Sequence, residues 1–175
     1  MANKVPELLN DFRVYREGQD NCIGIATVDL PAMNGMTQSI NGVGVGGEID
    51  APVLGHYQSM ETKMNWRIPA KEALAVATGD TTALEFRGAL QNYDSGAGAT
   101  VVNAIKCVIR GRVKSVELGK AEVGNTTDSA VTVETTYLKI EMDGEVIGEI
   151  DKYAAIDSVE GNDRMTQVRE ALGLI

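Results

Sequence analysis

The sequence predicts a mainly β domain with one long inter-strand loop and a short C-terminal helix. Three observations carry this. Residues 59–67, SMETKMNWR, alternate strictly between apolar and polar side chains, the period of a half-buried strand. Glycine is abundant, 19 of 175 residues, and Asn-Gly and Asp-Gly pairs punctuate the chain as turns. Only the stretches 70–77 and about 163–172 follow helical spacing.

Each element rests on its own residues. Phe12–Glu17 alternates and reads as a short strand, and Cys22–Leu30 as a second one, closed by Pro31. Residues 31–57 form a long connection rich in Gly and Asn, of a length that in a compact domain is usually functional or disordered. In the next strand Met60, Thr62, Met64 and Trp66 share the core face, while Glu61, Lys63 and Asn65 share the polar face. AKEALAVA, 70–77, follows Pro69 and precedes Gly79, which suits one or two helical turns. Leu84, Phe86, Gly88 and Leu90 alternate with polar residues, and 101–118 reads as a long strand with Ile105, Cys107, Ile109 and Val113 inward. Residues 119–129 are a polar loop.

The stretch 131–142, VTVETTYLKIEM, begins with apolar residues at odd positions and ends with them at even ones. Such a phase switch predicts a bulge near Thr135–Tyr137 or different neighbours for the two halves, and leaves the facing of Glu134 and Glu141 open. Asp143-Gly144 is a two-residue hairpin turn into 145–151. The final helix is expected to be capped by Asn162 or Asp163, to carry Met165, Val168 and Leu172 on one face, and to stop at Gly173.

Composition bounds the function. The length suits a single domain over 1–175, and 43% hydrophobic with 23% charged residues is ordinary for a globular chain. No run approaches the roughly 18 apolar residues of a membrane span. MANKVPELLNDF lacks the charged-then-apolar pattern of a signal peptide, so no cleaved export signal is expected. Cys22 and Cys107 stand far apart in strand-like segments and read as small buried side chains in a reducing compartment. One histidine, His56, and two distant cysteines make no zinc site; His56 reads as a structural, hydrogen-bonded residue.

Charge is unevenly placed. The chain carries 16 basic and 25 acidic residues, a net charge of −9. Residues 121–163 hold two lysines against 11 acids, so the remainder balances. Within that remainder 106–120 holds five basic residues against Glu117. The chain lacks the basic excess of a duplex-gripping protein, and an acidic region beside a basic strand reads either as two solvated faces or as complementary faces of a self-assembling subunit.

NGVGVGGE, residues 41–48, contains G-x-G-x-x-G at Gly42, Gly44 and Gly47. That fingerprint binds a dinucleotide only between a buried strand and a helix N-terminus. Here PAMNGMTQSI precedes it, and Pro52 and Gly55 deny a helix after it. The glycines read instead as a flexible loop or a close approach to another backbone. There is no HExxH, P-loop or G-x-S-x-G, so no catalytic, cofactor-binding or metal-binding residue is expected.

Several stretches together resemble a family: PELLNDFRVYREG, GVGVGGEIDAPVLGHYQSMETKMNWR, LEFRGALQNYD, CVIRGRVK, MDGEVIGEIDKY and VREALGLI. They resemble the major tail tube protein of contractile-tailed phages and of R-type tailocins, over roughly residues 4–175, with 68–82 and 119–130 the least similar.

The resemblance implies a structural protein without catalytic residues. Hexameric rings of a small β-sandwich would stack into a hollow tube, each subunit lending four strands to a continuous 24-stranded barrel. Such a barrel, with strands about 4.8 Å apart and tilted about 40°, is roughly 48 Å across between backbones, leaving an opening of roughly 38 Å. A DNA duplex passes through that without being gripped. Implied partners are the sheath, baseplate and tail terminator proteins. The implied places are the host cytoplasm during assembly, then the virion tail or tailocin particle.

The resemblance also puts Gly42, Gly44, Gly46, Gly47, Glu48, Asp50, Pro52 and His56 in a loop that contacts the next ring. Glu61, Lys63 and Asn65 become candidates for the lumen wall. A type VI secretion-like tube subunit and a monomeric β-sandwich binding module are the alternative readings.

Overall fold

The computed structural model describes residues 4–20, 22–69, 71–79 and 81–174. Eleven strands and two short helices follow in chain order among these residues: β1 (Lys4–Arg16), β2 (Thr27–Asp29), β3 (Gly35–Ile40), β4 (Ile49–Tyr57), β5 (Glu61–Trp66), α1 (Lys71–Ala77), β6 (Thr81–Asp94), β7 (Ala99–Glu117), β8 (Ser129–Met142), β9 (Glu145–Asp151), β10 (Ile156–Val159), β11 (Asn162–Asp163) and α2 (Thr166–Ala171). Nine of the strands form one antiparallel sheet, and β3 and β4 pair only with each other.

The large sheet folds over on itself at β7 and β8. One edge of β8 pairs with β7 throughout. Its other edge pairs with β5 over 129–134 and with β9 over 137–142. The ladder slips twice near this junction: Thr136 is extra on β8 between the halves, and Lys114 is extra on β7 opposite Val133 and Thr132. Bulges bend strands, so both long strands turn the same corner.

Both explanations of the phase switch hold together, since there is a bulge at Thr136 and a different neighbour for each half. The corner needs Gly111: a Cβ there would lie 2.0 Å from the Glu134 carbonyl oxygen. One layer is therefore β2–β5–β8(129–134)–β7(112–117). The other is β1–β6–β7(99–111)–β8(135–142)–β9–β10–β11.

The core lies between the layers. Met60, Met64, Trp66, Val131 and Val133 face Leu84, Phe86, Cys107, Ile109, Leu138 and Ile150 in one buried cluster, with Ala73 and Val76 of α1 at its end. The alternation of 59–67 is realised: Met60, Thr62, Met64 and Trp66 are all buried. The buried hydroxyls of Thr62 and Thr135 satisfy each other at 2.8 Å, and the Trp66 indole N–H donates to the Ile23 carbonyl at 3.1 Å.

Several elements differ from the sequence reading. The first strand begins at Lys4 rather than Phe12, because β6 supplies a partner that composition cannot reveal. The second shrinks to Thr27–Asp29, and Cys22 is exposed, held only by a bridge to Tyr15, whereas Cys107 is buried. Burial pushes the Cys107 thiol up to about 11. The long connection contains the β3–β4 hairpin. The last helix is shorter than its apolar pattern. Asn162 and Asp163 pair with β10, Met165 takes the N-cap position, and Asp163 still accepts the Met165 N–H at 2.9 Å. Gly173 ends the helix in a left-handed turn, but Leu172 is exposed.

Candidate assembly surfaces

Two surfaces stand out: the free-standing hairpin and the polar face of the β2–β5–β8–β7 layer. The hairpin ladder runs from Ile40 opposite Ile49 down to Gly35 opposite Tyr57. Gly42, Gly44, Gly46 and Gly47 make its turn, with Gly42 and Gly44 at positive φ. A strand follows them and not a helix, so no helix N-terminus meets a phosphate here.

Glu48 closes the turn by accepting the Ser39 hydroxyl at 2.5 Å. Asp50 lies opposite Ser39, and Pro52 opposite Thr37. His56 is exposed on β4, and its side chain makes no hydrogen bond among the described residues. The structural, hydrogen-bonded role expected for it is not what the fold provides, since the imidazole stays exposed at the hairpin base.

The hairpin is too apolar for a solvated loop. Met36, Ile40, Ile49, Val53 and Leu54 are exposed on it. That richness in 31–57 is the signal by which the sequence could have disclosed paired strands. Beneath the hairpin base lies an open groove of about 520 Å³, walled by Val53 and Leu54 on one side and Ile140, Ile147 and Val159 on the other. At its floor the Tyr57 hydroxyl donates to Asp157 at 3.0 Å, and Arg164 donates to both, at 3.0 Å and 2.6 Å. Burial and the neighbouring Asp157 carboxylate raise the Tyr57 phenol above its ordinary range. Sequence reading missed these three residues, which stand far apart in the chain.

The second surface gathers residues from four strands. Glu61, Lys63 and Asn65 lie opposite Glu134, Thr132 and Ala130 of β8, so they share a face. Arg112, Ser115 and Glu117 of β7 continue the same rows, and Thr27 and Asp29 of β2 extend them on the far side. Glu61 pairs with Lys114 and not with Lys63. Lys63 reaches Glu117 at 4.0 Å, and Asn65 donates to the Thr27 hydroxyl at 3.0 Å.

Glu134 accepts the Ser59 hydroxyl at 2.5 Å and lies 3.5 Å from Lys152. Burial alone would raise Glu134, but these bonds and the Met60 N–H hold it below the ordinary range. Glu141 faces away from this surface, on the other layer, between Lys106 and Lys139. The phase switch thus resolves in favour of Glu134.

This four-stranded layer has two open edges. β2 pairs with β5 on one side only, and Val113–Glu117 pairs with β8 on one side only, because β6 ends opposite Arg112. Among the described residues no strand covers either edge. Unpaired N–H and C=O groups at a sheet edge are a template for another chain.

Comparison with known proteins matches the phage tail tube protein FII family over residues 6–173. The chain belongs to that family. It is 31% identical to the tail tube protein of Escherichia phage P2, over 97% of this chain and 99% of that one. It is 23% identical to the major tail tube protein of Serratia phage KSP20, over 97% and 98%. It is therefore a structural subunit of a phage tail tube, placed in the virion tail. Among the described residues no cluster of His, Cys, Asp and Glu could hold a metal, and no helix is long and apolar enough to cross a membrane.

Proposed function

We propose that the subunit closes hexameric rings through the two open edges of the β2–β5–β8–β7 layer, and that the rings stack into the hollow inner tube of a contractile tail. The observation that carries this is the layer itself. It has a buried apolar face, a polar face and an unpaired strand at each side. Adding β2 of one copy to Val113–Glu117 of the next repeats the four-strand unit without leaving an edge, which is the condition for a barrel.

The polar face then becomes the lumen wall. Its charged residues are Asp29, Glu61, Glu117 and Glu134 against Lys63, Arg112 and Lys114, a net charge of −1. A weakly acidic, internally paired wall offers a passing DNA duplex no basic track to stick to. The β3–β4 hairpin, with Gly42, Gly44, Gly46, Gly47, Glu48, Asp50, Pro52 and His56, makes contacts with the next ring. Sheath, baseplate and tail terminator proteins are the expected partners, assembly takes place in the host cytoplasm, and the subunit turns over no substrate.

Negative-stain microscopy of the purified chain tests this. Rings or hollow rods are expected, and replacing Val116, whose N–H points away from β8 at the open β7 edge, by Pro should abolish them while leaving a folded monomer. Rods formed by Val116→Pro as readily as by the parent would refute edge pairing.

A further inference from the structure

The hairpin is tied to the rest of the molecule at its base. It pairs with no strand of the large sheet. Among the described residues, every hydrogen bond from it to another element passes through the Tyr57 hydroxyl at its base. The acceptor, Asp157 on β10, is 2% exposed. Its carboxylate takes both the Tyr57 O–H and the Arg164 guanidinium, and that guanidinium also donates to the Tyr57 oxygen. The three groups close a triangle in which each holds the other two.

The C-terminal segment sets that triangle in place. Asp163 accepts the backbone N–H of Asp157 at 3.3 Å and that of Met165 at 2.9 Å. Arg169 binds Asp163 at 2.5 Å and the Ala155 carbonyl at 2.7 Å. Met165 closes against the hairpin itself. Gly55 sits at φ +68°, and a Cβ there would lie 2.2 Å from the Met165 sulfur. Polar and apolar contacts therefore converge on the last turn of the hairpin, with the open groove beside them.

We propose that Tyr57, Asp157 and Arg164 form a clasp that fixes the angle at which the hairpin leaves the body, and so positions its contacts with the next ring. The proposal rests on the stacking reading above. A lever argument shows why one hydroxyl matters. The nine residues of β4 extend about 27 Å at about 3.4 Å per residue. A rotation of about 10° at the base moves the tip about 5 Å, a whole strand spacing. A hairpin loose by that much presents Met36, Ile40 and Ile49 out of register with any partner. The ordering cost then falls on assembly and not on folding. Tyr57, Asp157 and Arg164 are thus positioning residues, since the contacts themselves are made farther along the hairpin.

The test uses the full chain with Tyr57→Phe, which keeps the ring and removes only the hydroxyl. The expected result is a thermal midpoint within a few degrees of the parent and a critical concentration for polymerisation, read by sedimentation, raised about tenfold or more. A second readout is independent of polymerisation. Spin labels at Val43→Cys on the hairpin tip and Val123→Cys on the body, in a Cys22→Ser background, report their separation in dilute monomer. The clasp predicts a broader distance distribution in Tyr57→Phe. Unchanged critical concentration and unchanged width overturn it. Should the parent fail to polymerise, the stacking reading falls, and the width of the distance distribution still decides the clasp. Arg164→Gln carries the same test should Tyr57→Phe not fold.

Discussion

Replacing Gly111 by Ala places one methyl group at the corner where the sheet turns. An ideal Cβ there stands 2.0 Å from the Glu134 carbonyl oxygen and 2.9 Å from a Val133 methyl. The backbone at Glu134 cannot simply retreat. Glu61 faces it across β5, and the next residue, Thr135, donates its N–H to the Met60 carbonyl at 2.7 Å. Relief needs a shift of more than about 1 Å in a strand held on both sides. Overpacking of this kind costs about 1–3 kcal/mol, and a backbone clash belongs at the upper end. At about 2–4 °C per kcal/mol for a chain of this size, about 3 kcal/mol lowers the melting temperature by roughly 6–12 °C. Thermal unfolding followed by circular dichroism measures this on dilute monomer. Gly46→Ala in the hairpin turn is the control, because its Cβ meets nothing within 4 Å. Equal melting temperatures for the two variants would refute the corner as the point where the layers join.

The other predictions concern the surfaces and the charges. Glu61→Lys should still form rods, since the pair with Lys114 is half-exposed and such pairs contribute about 0–1 kcal/mol. The net charge of the wall rises by two, so DNA ejection from a particle carrying it should slow and become salt-sensitive, and ejection rates independent of salt would remove Glu61 from the lumen. Deleting residues 42–47 leaves Asn41 and Glu48 as a two-residue turn between the paired Ile40 and Ile49. The domain should stay folded by circular dichroism and fail to stack by microscopy; an unfolded product would return these glycines to the core.

Acid should weaken the fold. Glu17 is held low by the Arg110 hydrogen bond and Glu141 by Lys139. In Glu134 and Asp163 the hydrogen bonds outweigh the opposing effect of burial. All four bind fewer protons folded than unfolded, so their stabilisation is full above the ordinary carboxylate range and is lost as pH falls through and below about 4. A melting temperature flat from pH 6 to pH 3 would contradict these pairings.

The sequence by itself determined the local pattern. Period-two alternation fixes which face of a strand is buried, so Met60, Met64 and Trp66 were legible as core and Glu61, Lys63 and Asn65 as a polar face. The Asp143-Gly144 turn, with both residues at positive φ, and the bulge near Thr136 were legible for the same reason, since each is a break in a short-range period. Family membership was legible from the order of many short motifs.

Which strands are neighbours was decided only by the tertiary structure. Lys114 as the partner of Glu61, Glu134 and not Glu141 on the face of Glu61, and the start of β1 at Lys4 all depend on pairings across long loops. The fold also exposed Cys22 and, among the described residues, gave the His56 side chain no hydrogen-bond partner. The clasp lay furthest from view. Tyr57, Asp157 and Arg164 have no shared period or motif. They meet because a hydrogen bond depends on distance in space, and the turn of β10 toward the hairpin base sets that distance.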